Sequence, residues 1–534
     1  MASQPQKIKN ALQDLLERLL ELQKSFVKDI TQDNGYIDMK YSNKDQKFKE
    51  DIFINNPMMI FSRKFYETIS QWMLDTLDSL DEIEPFLKNS ARFFLKQYID
   101  LMSPDNFPFL NPIVLKETFD TAGENFQKGL KMLMEDMKNG SITTNDRSQF
   151  KIGRDIAATH GKVIFQNNLI ELIQYSSSTP KVFAVPILFI PPWINKFYIL
   201  DLKPESSFIK WIVDKGFTVF MISWVNPDKR YKNKGFEDYL RDGLLASLEK
   251  ISDVTKAKSI HTIGYCVGGT LISSLLAYLA NPLCEKHARI KNISATLLTT
   301  LLDFERAGDM SIFMAESYLE AINSQMKEKG ILGGNILYNT FSALKAKDMI
   351  WRYFVNSYML GKKPEAHEIL FWNSDPTNLT SAMQTFLATD LYKNNLLKTG
   401  MLKMFGVPIN LKLVETPLYM ISMKKDHLVP WQATFDGMRL FSGDIRFVLG
   451  GSGHVAGVVN HPNKDKYCYW INQKKTATAE EWFASATEMA GSWWNDWLEW
   501  IKPMAGPLMD SFKIIDFIRD APGIYVNNQT PEKL

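Results

Sequence analysis

Cysteine is scarce in this chain of 534 residues, which contains only Cys266, Cys284 and Cys468. Their spacings match no zinc-ligand pattern and no disulfide framework, which argues against a stapled secreted domain and points to a reducing, cytoplasmic compartment. An excess of one charge is missing too. Lys and Arg total 62 against 60 Asp and Glu, a formal net charge of +2, so no basic field invites nucleic acid. A membrane-spanning helix is not expected either, although one uncharged run is long enough to count. That run, residues 259–280, has glycines in its middle that split it into a strand and a helix, each too short to span. Residues 1–28 carry charges throughout a helical pattern of Leu12, Leu15, Leu16, Leu19, Leu20 and Leu22, so they lack the apolar centre of a signal peptide.

What is present is a turn built around one cysteine. Gly264-Tyr265-Cys266-Val267-Gly268-Gly269 lies between a strand-like run (260–265) and a helix-like run (270–280). A strand-to-helix elbow that exposes a nucleophile is too tight for side chains two residues before and two after it, and Gly264 and Gly268 meet that need. Alone, such a pentad reads equally well as a compact buried cysteine. The chain order of further residues favours catalysis. A buried strand-like run, 416–423, is followed at once by Asp426, and another, 445–450, by Gly451-Ser452-Gly453-His454. Nucleophile, acid and histidine, each after a strand and in that order, make a hydrolase-type triad of Cys266, Asp426 and His454. His427 is the rival base, but it shares the acid's own loop. For an oxyanion hole, the backbone N–H of Val267 supplies one donor. The loop Pro191-Pro192-Trp193-Ile194-Asn195, leaving a strand expected over 182–190, offers the N–H of Ile194 as the other; an ordinary proline-bounded strand exit reads equally well there. A thiolate nucleophile implies acyl transfer through a thioester.

A length of 534 residues calls for two or three structural units. Residues 1–160 read as a mostly helical N-terminal domain interrupted at Asn55-Asn56-Pro57 and Ser103-Pro104-Asp105, with a polar loop over 139–146. Residues 161–304 alternate strands and helices, opening with a strand pair that turns at Asn167-Asn168, the pattern of a parallel sheet covered on both faces. That rhythm stops over 305–415, a helical insertion rich in methionine and aromatics, including Trp351, Tyr353, Phe354, Tyr358, Met359, Phe371 and Trp372. It resumes over 416–505 and ends in a tail, 506–534. The fold class is therefore α/β: an α/β-hydrolase core with a helical N-terminal domain and a helical cap. The tryptophans Trp482, Trp493, Trp494, Trp497 and Trp500 recur at helical spacing, which reads as packing of a late helix on the sheet.

The runs Pro191-Pro192-Trp193-Ile194-Asn195-Lys196, Ser223-Trp224-Val225-Asn226-Pro227-Asp228, Gly264-Tyr265-Cys266-Val267-Gly268-Gly269, Asp426-His427-Leu428-Val429-Pro430-Trp431 and Gly453-His454-Val455-Ala456-Gly457, with Ser103-Pro104-Asp105-Asn106-Phe107 and Asn111-Pro112 upstream, resemble the polyhydroxyalkanoate synthases, in the class I form. The resemblance covers most of the chain. It implies polymerisation of a 3-hydroxyacyl-coenzyme A, such as 3-hydroxybutyryl-coenzyme A, with release of coenzyme A and no further cofactor or metal. It also implies a homodimer, association with cytoplasmic polyester granules, and a mobile cap over Cys266. For Asp426 it suggests a second role, activating the 3-hydroxyl that attacks the waiting thioester. A thioesterase or polyester depolymerase with the same triad, and a non-catalytic granule protein, are the competing expectations.

Overall fold

The computed structural model describes residues 4–32, 56–284 and 291–528. Residues 1–3, Asn55, and residues 529–534 of the tail lie outside the described residues. By packing, the chain divides into two compact units, residues 1–146 with 341–365, and residues 147–340 with 366–534.

The second unit is organised by an 11-stranded sheet. In chain order its strands are β1 (Gly161–Gln166), β2 (Ile170–Tyr175), β3 (Ile187–Ile190), β4 (Val219–Trp224), β5 (Ser259–Tyr265), β6 (Lys291–Leu298), β7 (Leu418–Met423), β8 (Ile445–Gly450), β9 (Cys468–Ile471), β10 (Thr487–Ala490) and β11 (Arg519–Asp520). Across the sheet they run β10-β9-β8-β7-β6-β5-β3-β4-β2-β1-β11. The block from β4 to β8 is parallel, while β2 and β9 join it antiparallel on either side. This is the α/β-hydrolase arrangement expected from the sequence, with β9, β10 and β11 added at the edges.

Alternation along each parallel strand feeds two cores. Leu188, Ile190, Phe220, Ile222, Leu297 and Met420 point to one face, where the helices Val267–Ala280 and Ala246–Thr255 pack. Ile187, Phe189, Val219, Met221, Leu298 and Ile421 point to the other, against Phe208, Trp493, Trp494 and Trp497. The strand expected over 182–190 is broken in two. Pro186 has no N–H for a ladder, so Lys181–Phe183 pairs separately with Leu508–Asp510 while Ile187–Ile190 enters the main sheet. The segment 305–415 is helical in the main, but it contains π-helical turns at Lys347–Trp351, Phe354–Met359 and Leu387–Lys393 and short strand pairs at Ile331–Leu332 with Leu379–Thr380 and Lys403–Met404 with Val407–Pro408. Among the described residues no helix is long and apolar enough to cross a membrane.

In the first unit the expected interruption at Asn56-Pro57 is a helix start, and Ser103-Pro104-Asp105 becomes a single 3₁₀ turn over Pro104–Asn106. The side chain of Asn56 caps Pro57–Asp78 through the N–H groups of Met58 and Met59, and Asn111 caps Pro112–Asp120 through those of Ile113 and Val114, each with proline at the first helical position. Residues 341–365 are tied into this unit by buried polar contacts: Asn125 donates to the Met359 carbonyl at 2.7 Å and the Tyr358 hydroxyl to Asp136 at 2.6 Å.

Candidate active site

Strand β5 delivers Cys266 to its end with φ 54° and ψ −123°, and the helix Val267–Ala280 starts at the next residue. A non-glycine residue at positive φ costs roughly 1–3 kcal/mol and persists only when its surroundings hold it. Here the Cys266 N–H donates to the Leu298 carbonyl on β6 at 2.9 Å, and its carbonyl accepts from the Gly269 N–H at 2.9 Å and the Thr300 hydroxyl at 3.3 Å. The flanking glycines are needed for space. A Cβ on Gly264 would lie 2.5 Å from the Gly269 Cα, and one on Gly268 would lie 2.2 Å from the Ile190 carbonyl oxygen at the end of β3. The elbow thus presses directly on the strand from which the 191–196 loop departs.

Asp426 sits in the turn after β7, and His454 in the glycine-rich loop after β8. The structure brings them together: Nδ1 of His454 donates to Oδ2 of Asp426 at 2.6 Å. The other carboxylate oxygen, Oδ1, accepts the N–H groups of Leu428 and Val429, both at 2.9 Å. The Asp426 side chain has no exposed surface, so its two oxygens are bonded and screened from water. With Nδ1 committed to Asp426, Nε2 is the imidazole nitrogen left for the nucleophile. Burial by itself would lower the imidazole's affinity for a proton. The Asp426 charge and hydrogen bond, with a smaller contribution from Cys266, overcome that and push the His454 pKa up to about 10. The imidazole held by the acid is that of His454, not that of the adjacent His427.

Several supporting residues had no signal in the sequence. Tyr265, immediately before the nucleophile, donates its hydroxyl to the His454 carbonyl at 3.2 Å and stacks on the imidazole with centroids 5.4 Å apart. The late tryptophans do more than pack: the indole N–H of Trp493 donates to the Gly457 carbonyl at 3.0 Å, and that of Trp494 to Val458 at 2.9 Å, so they pin the loop that carries His454. Thr300, two residues past the end of β6, supports the elbow through the Cys266 carbonyl. In sequence these residues look like ordinary core, because their partners are backbone carbonyls far along the chain.

Val267 opens its helix, so its N–H has no partner within the helix, and the N–H of Ile194 leaves the adjacent strand end. Neither has an acceptor among the described residues. A half-buried cysteine at the elbow, a buried imidazole with its acid, and backbone N–H groups without acceptors are groups of the kind that acyl transfer by covalent catalysis uses.

Fold and elbow together define a member of the α/β-hydrolase class, and residues 186–460 match the family model described as alpha/beta hydrolase fold. Residues 44–212 match the model of the poly-beta-hydroxybutyrate polymerase (PhaC) N-terminus. The poly(3-hydroxyalkanoate) polymerase subunit PhaC of Rhizobium etli is 41% identical over 495 residues, covering 91% of this chain and 77% of its own. The poly(3-hydroxyalkanoate) polymerase of Methylorubrum extorquens is 39% identical over 491 residues, with 90% and 80% covered, and the PhaC subunit of Cupriavidus necator 36% over 493, with 90% and 83% covered. The chain belongs to the poly(3-hydroxyalkanoate) polymerase family, whose members are acyltransferases.

Proposed function

We propose that this chain polymerises 3-hydroxyacyl-coenzyme A, of short acyl length such as 3-hydroxybutyryl-coenzyme A, into polyester through an acyl thioester on Cys266. The observation that carries the reading is the 2.6 Å bond from His454 to a buried Asp426, on an imidazole whose proton affinity Cys266 also raises. His454 Nε2 takes the Cys266 proton, and the sulfur attacks the thioester carbonyl. The N–H groups of Val267 and Ile194 receive the developing oxyanion. The bond to the coenzyme A sulfur then breaks, and the His454 proton passes to that sulfur, so free coenzyme A leaves without any resident cofactor or metal. A 3-hydroxyl next attacks the Cys266 thioester and gives its proton to His454; the ester forms as the bond to the Cys266 sulfur breaks, and the proton passes to that sulfur to regenerate the thiol.

The bonding of Asp426 supports orientation of the imidazole over direct activation of the hydroxyl. Oδ1 already accepts two N–H groups, Oδ2 holds the imidazole, and the side chain lies out of water, so a substrate hydroxyl would have to enter a buried site to reach the remaining lone pair of Oδ2. Membership of the family supports a cytoplasmic setting at the polyester granule, with a homodimer as the working form and the growing chain and granule surface as partners.

The test is product mass. The full chain supplied with 3-hydroxybutyryl-coenzyme A and its longer homologues should release coenzyme A and yield high-mass polyester, most rapidly with the short substrate, and Cys266→Ala should yield none. Coenzyme A release accompanied only by free 3-hydroxy acid would make the chain a thioesterase. Polymer from the alanine variant would remove Cys266 from the chemistry.

A further inference from the structure

The loop 191–196 begins with Pro191 and Pro192, which have no N–H, and its carbonyls at 191, 193, 194 and 196 accept from outside the loop. The indole N–H of Trp224 donates to the Pro191 carbonyl at 2.9 Å. A single segment of the insertion then meets the next part of the loop. The hydroxyl of Thr377 donates to the Trp193 carbonyl at 2.6 Å, the Thr377 N–H to the Ile194 carbonyl at 3.3 Å, and the indole N–H of Trp372 to the Lys196 carbonyl at 2.7 Å. Asn195 and Pro376 form an isolated antiparallel bridge between these contacts. On the far side, the Lys196 ammonium is held by the Asn528 side chain and, at 3.5 Å, the Tyr525 carbonyl. Thr377 and Trp372 are both buried.

The bond at Trp193 is the informative one. The peptide joining Trp193 to Ile194 is planar and trans, so its C=O and N–H point in opposite directions. Whatever holds the Trp193 oxygen therefore aims the Ile194 N–H. That oxygen is held by the Thr377 hydroxyl, while the N–H has no acceptor among the described residues. A peptide fixed at its oxygen and open at its nitrogen is a donor pre-set for a charge that appears only during reaction, which is when such a donor lowers a barrier.

We infer that Thr377 is a positioning residue for acyl transfer, locking the Trp193–Ile194 peptide so that the Ile194 N–H faces the reacting carbonyl oxygen, with Trp372 steadying the same loop two residues on. The inference rests on the oxyanion role proposed for Ile194 and goes beyond it by assigning the aim of that donor to a residue of the insertion. Thr377 does not touch the substrate. It acts through the peptide it holds.

The experiment compares two reactions of the same sulfur in the full-length protein. Acylation is followed as the first-turnover release of coenzyme A from 3-hydroxybutyryl-coenzyme A. Alkylation of Cys266 by iodoacetamide displaces iodide from a saturated carbon, so it creates no oxyanion and is indifferent to the hole. Thr377→Val, which keeps the shape and removes the donor, should slow acylation about tenfold or more, a modest part of the 10²–10³ lost when a donor is deleted outright, with KM within about twofold. Alkylation should keep its wild-type rate, and Thr377→Ser should restore acylation to within about threefold. Thr377→Ala removes the hydroxyl without that branch and must show the same split if the valine variant does not fold. Unchanged acylation in Thr377→Val or Thr377→Ala overturns the inference. Equal loss of acylation and alkylation overturns it as well, since that is general damage to the site. Failure of the triad reading looks different: Cys266→Ala would then still release coenzyme A.

Discussion

The two units treat their apolar side chains in opposite ways. In residues 147–340 with 366–534, Leu188, Ile222 and Met420 are fully buried on one face of the sheet and Ile187, Phe189, Met221, Ile421 and Trp497 on the other. In residues 1–146, by contrast, Leu12, Leu16, Met58, Phe94, Phe109, Phe119, Met134 and Met137 are exposed, Phe109 and Phe119 at 83% each. Among the described residues, Ile60, Phe93 and Val114 are the large apolar side chains that stretch buries. Cys266, Asp426, His454, Ile194 and Thr377 all belong to the sheet-bearing unit. Site geometry and most of the apolar burial are therefore concentrated in one unit, while residues 1–146 of the other leave many of their apolar side chains on the surface. Equal hydrophobicity in two stretches of sequence says nothing about equal burial.

The largest expected effect is inside the sheet-bearing unit. Asp426→Asn replaces an oxygen that accepts from Nδ1 with an amide that favours the wrong tautomer, and the coenzyme A released in the first turnover should slow by about 10³–10⁴-fold. Rapid release of one equivalent followed by a stall would instead assign Asp426 to hydroxyl activation, and would break the argument drawn from its buried carboxylate. Next comes a matched pair of truncations across the two units. Phe189→Ala empties a site with no exposed surface beside Phe208, whose ring lies 5.8 Å away edge-on, and should cost about 3–5 kcal/mol. Phe119→Ala, at an exposed position, should stay within about 0.5 kcal/mol. Denaturant midpoints for the two proteins check this, and similar losses at both positions would mean that the surface of the first unit is covered in solution.

The elbow was legible because backbone geometry forces the choice of residue: Gly264 and Gly268 are where a Cβ cannot fit, and sequence shows glycine directly. Asp426 and His454 were legible because each follows a buried strand whose apolar run is plain. The strand expected over 182–190 was harder, since a continuous apolar run hides the point where Pro186 forces the chain out of one ladder and into another. The supports of the site were not legible at all. Thr377 meets the Trp193 carbonyl across 184 positions, and Trp493 meets Gly457 across 36. Both satisfy backbone carbonyls, and a carbonyl carries no mark of its partner in sequence. For the same reason the π-helical turns of the insertion look like any helix in the pattern of apolar residues.

The smallest expected effect per step is a pH dependence that separates the catalytic pair from its surroundings. The folded pKa of His454 stands at about 10, above the ordinary imidazole value of about 6.5. A raised pKa means that the folded protein holds a proton the unfolded chain has lost, so the stabilisation is complete below about pH 6.5 and declines as pH rises through about 10, at no more than about 1.4 kcal/mol per pH unit for one proton. Lys196 works against this at the upper end: burial draws its pKa down to about 8, with Asp375 opposing, so between about 8 and the ordinary lysine value of about 10.4 the unfolded chain binds more protons and stability gains with pH. Wild-type stability alone therefore mixes two slopes of opposite sign. The difference between wild type and Asp426→Asn isolates His454, because the variant leaves Lys196 as it is and removes the charge that raises the imidazole. That difference, measured by denaturant titration at successive pH values, should be largest near pH 6.5 and shrink steadily toward pH 10, whereas a difference independent of pH would mean that the His454–Asp426 contact carries no proton of its own.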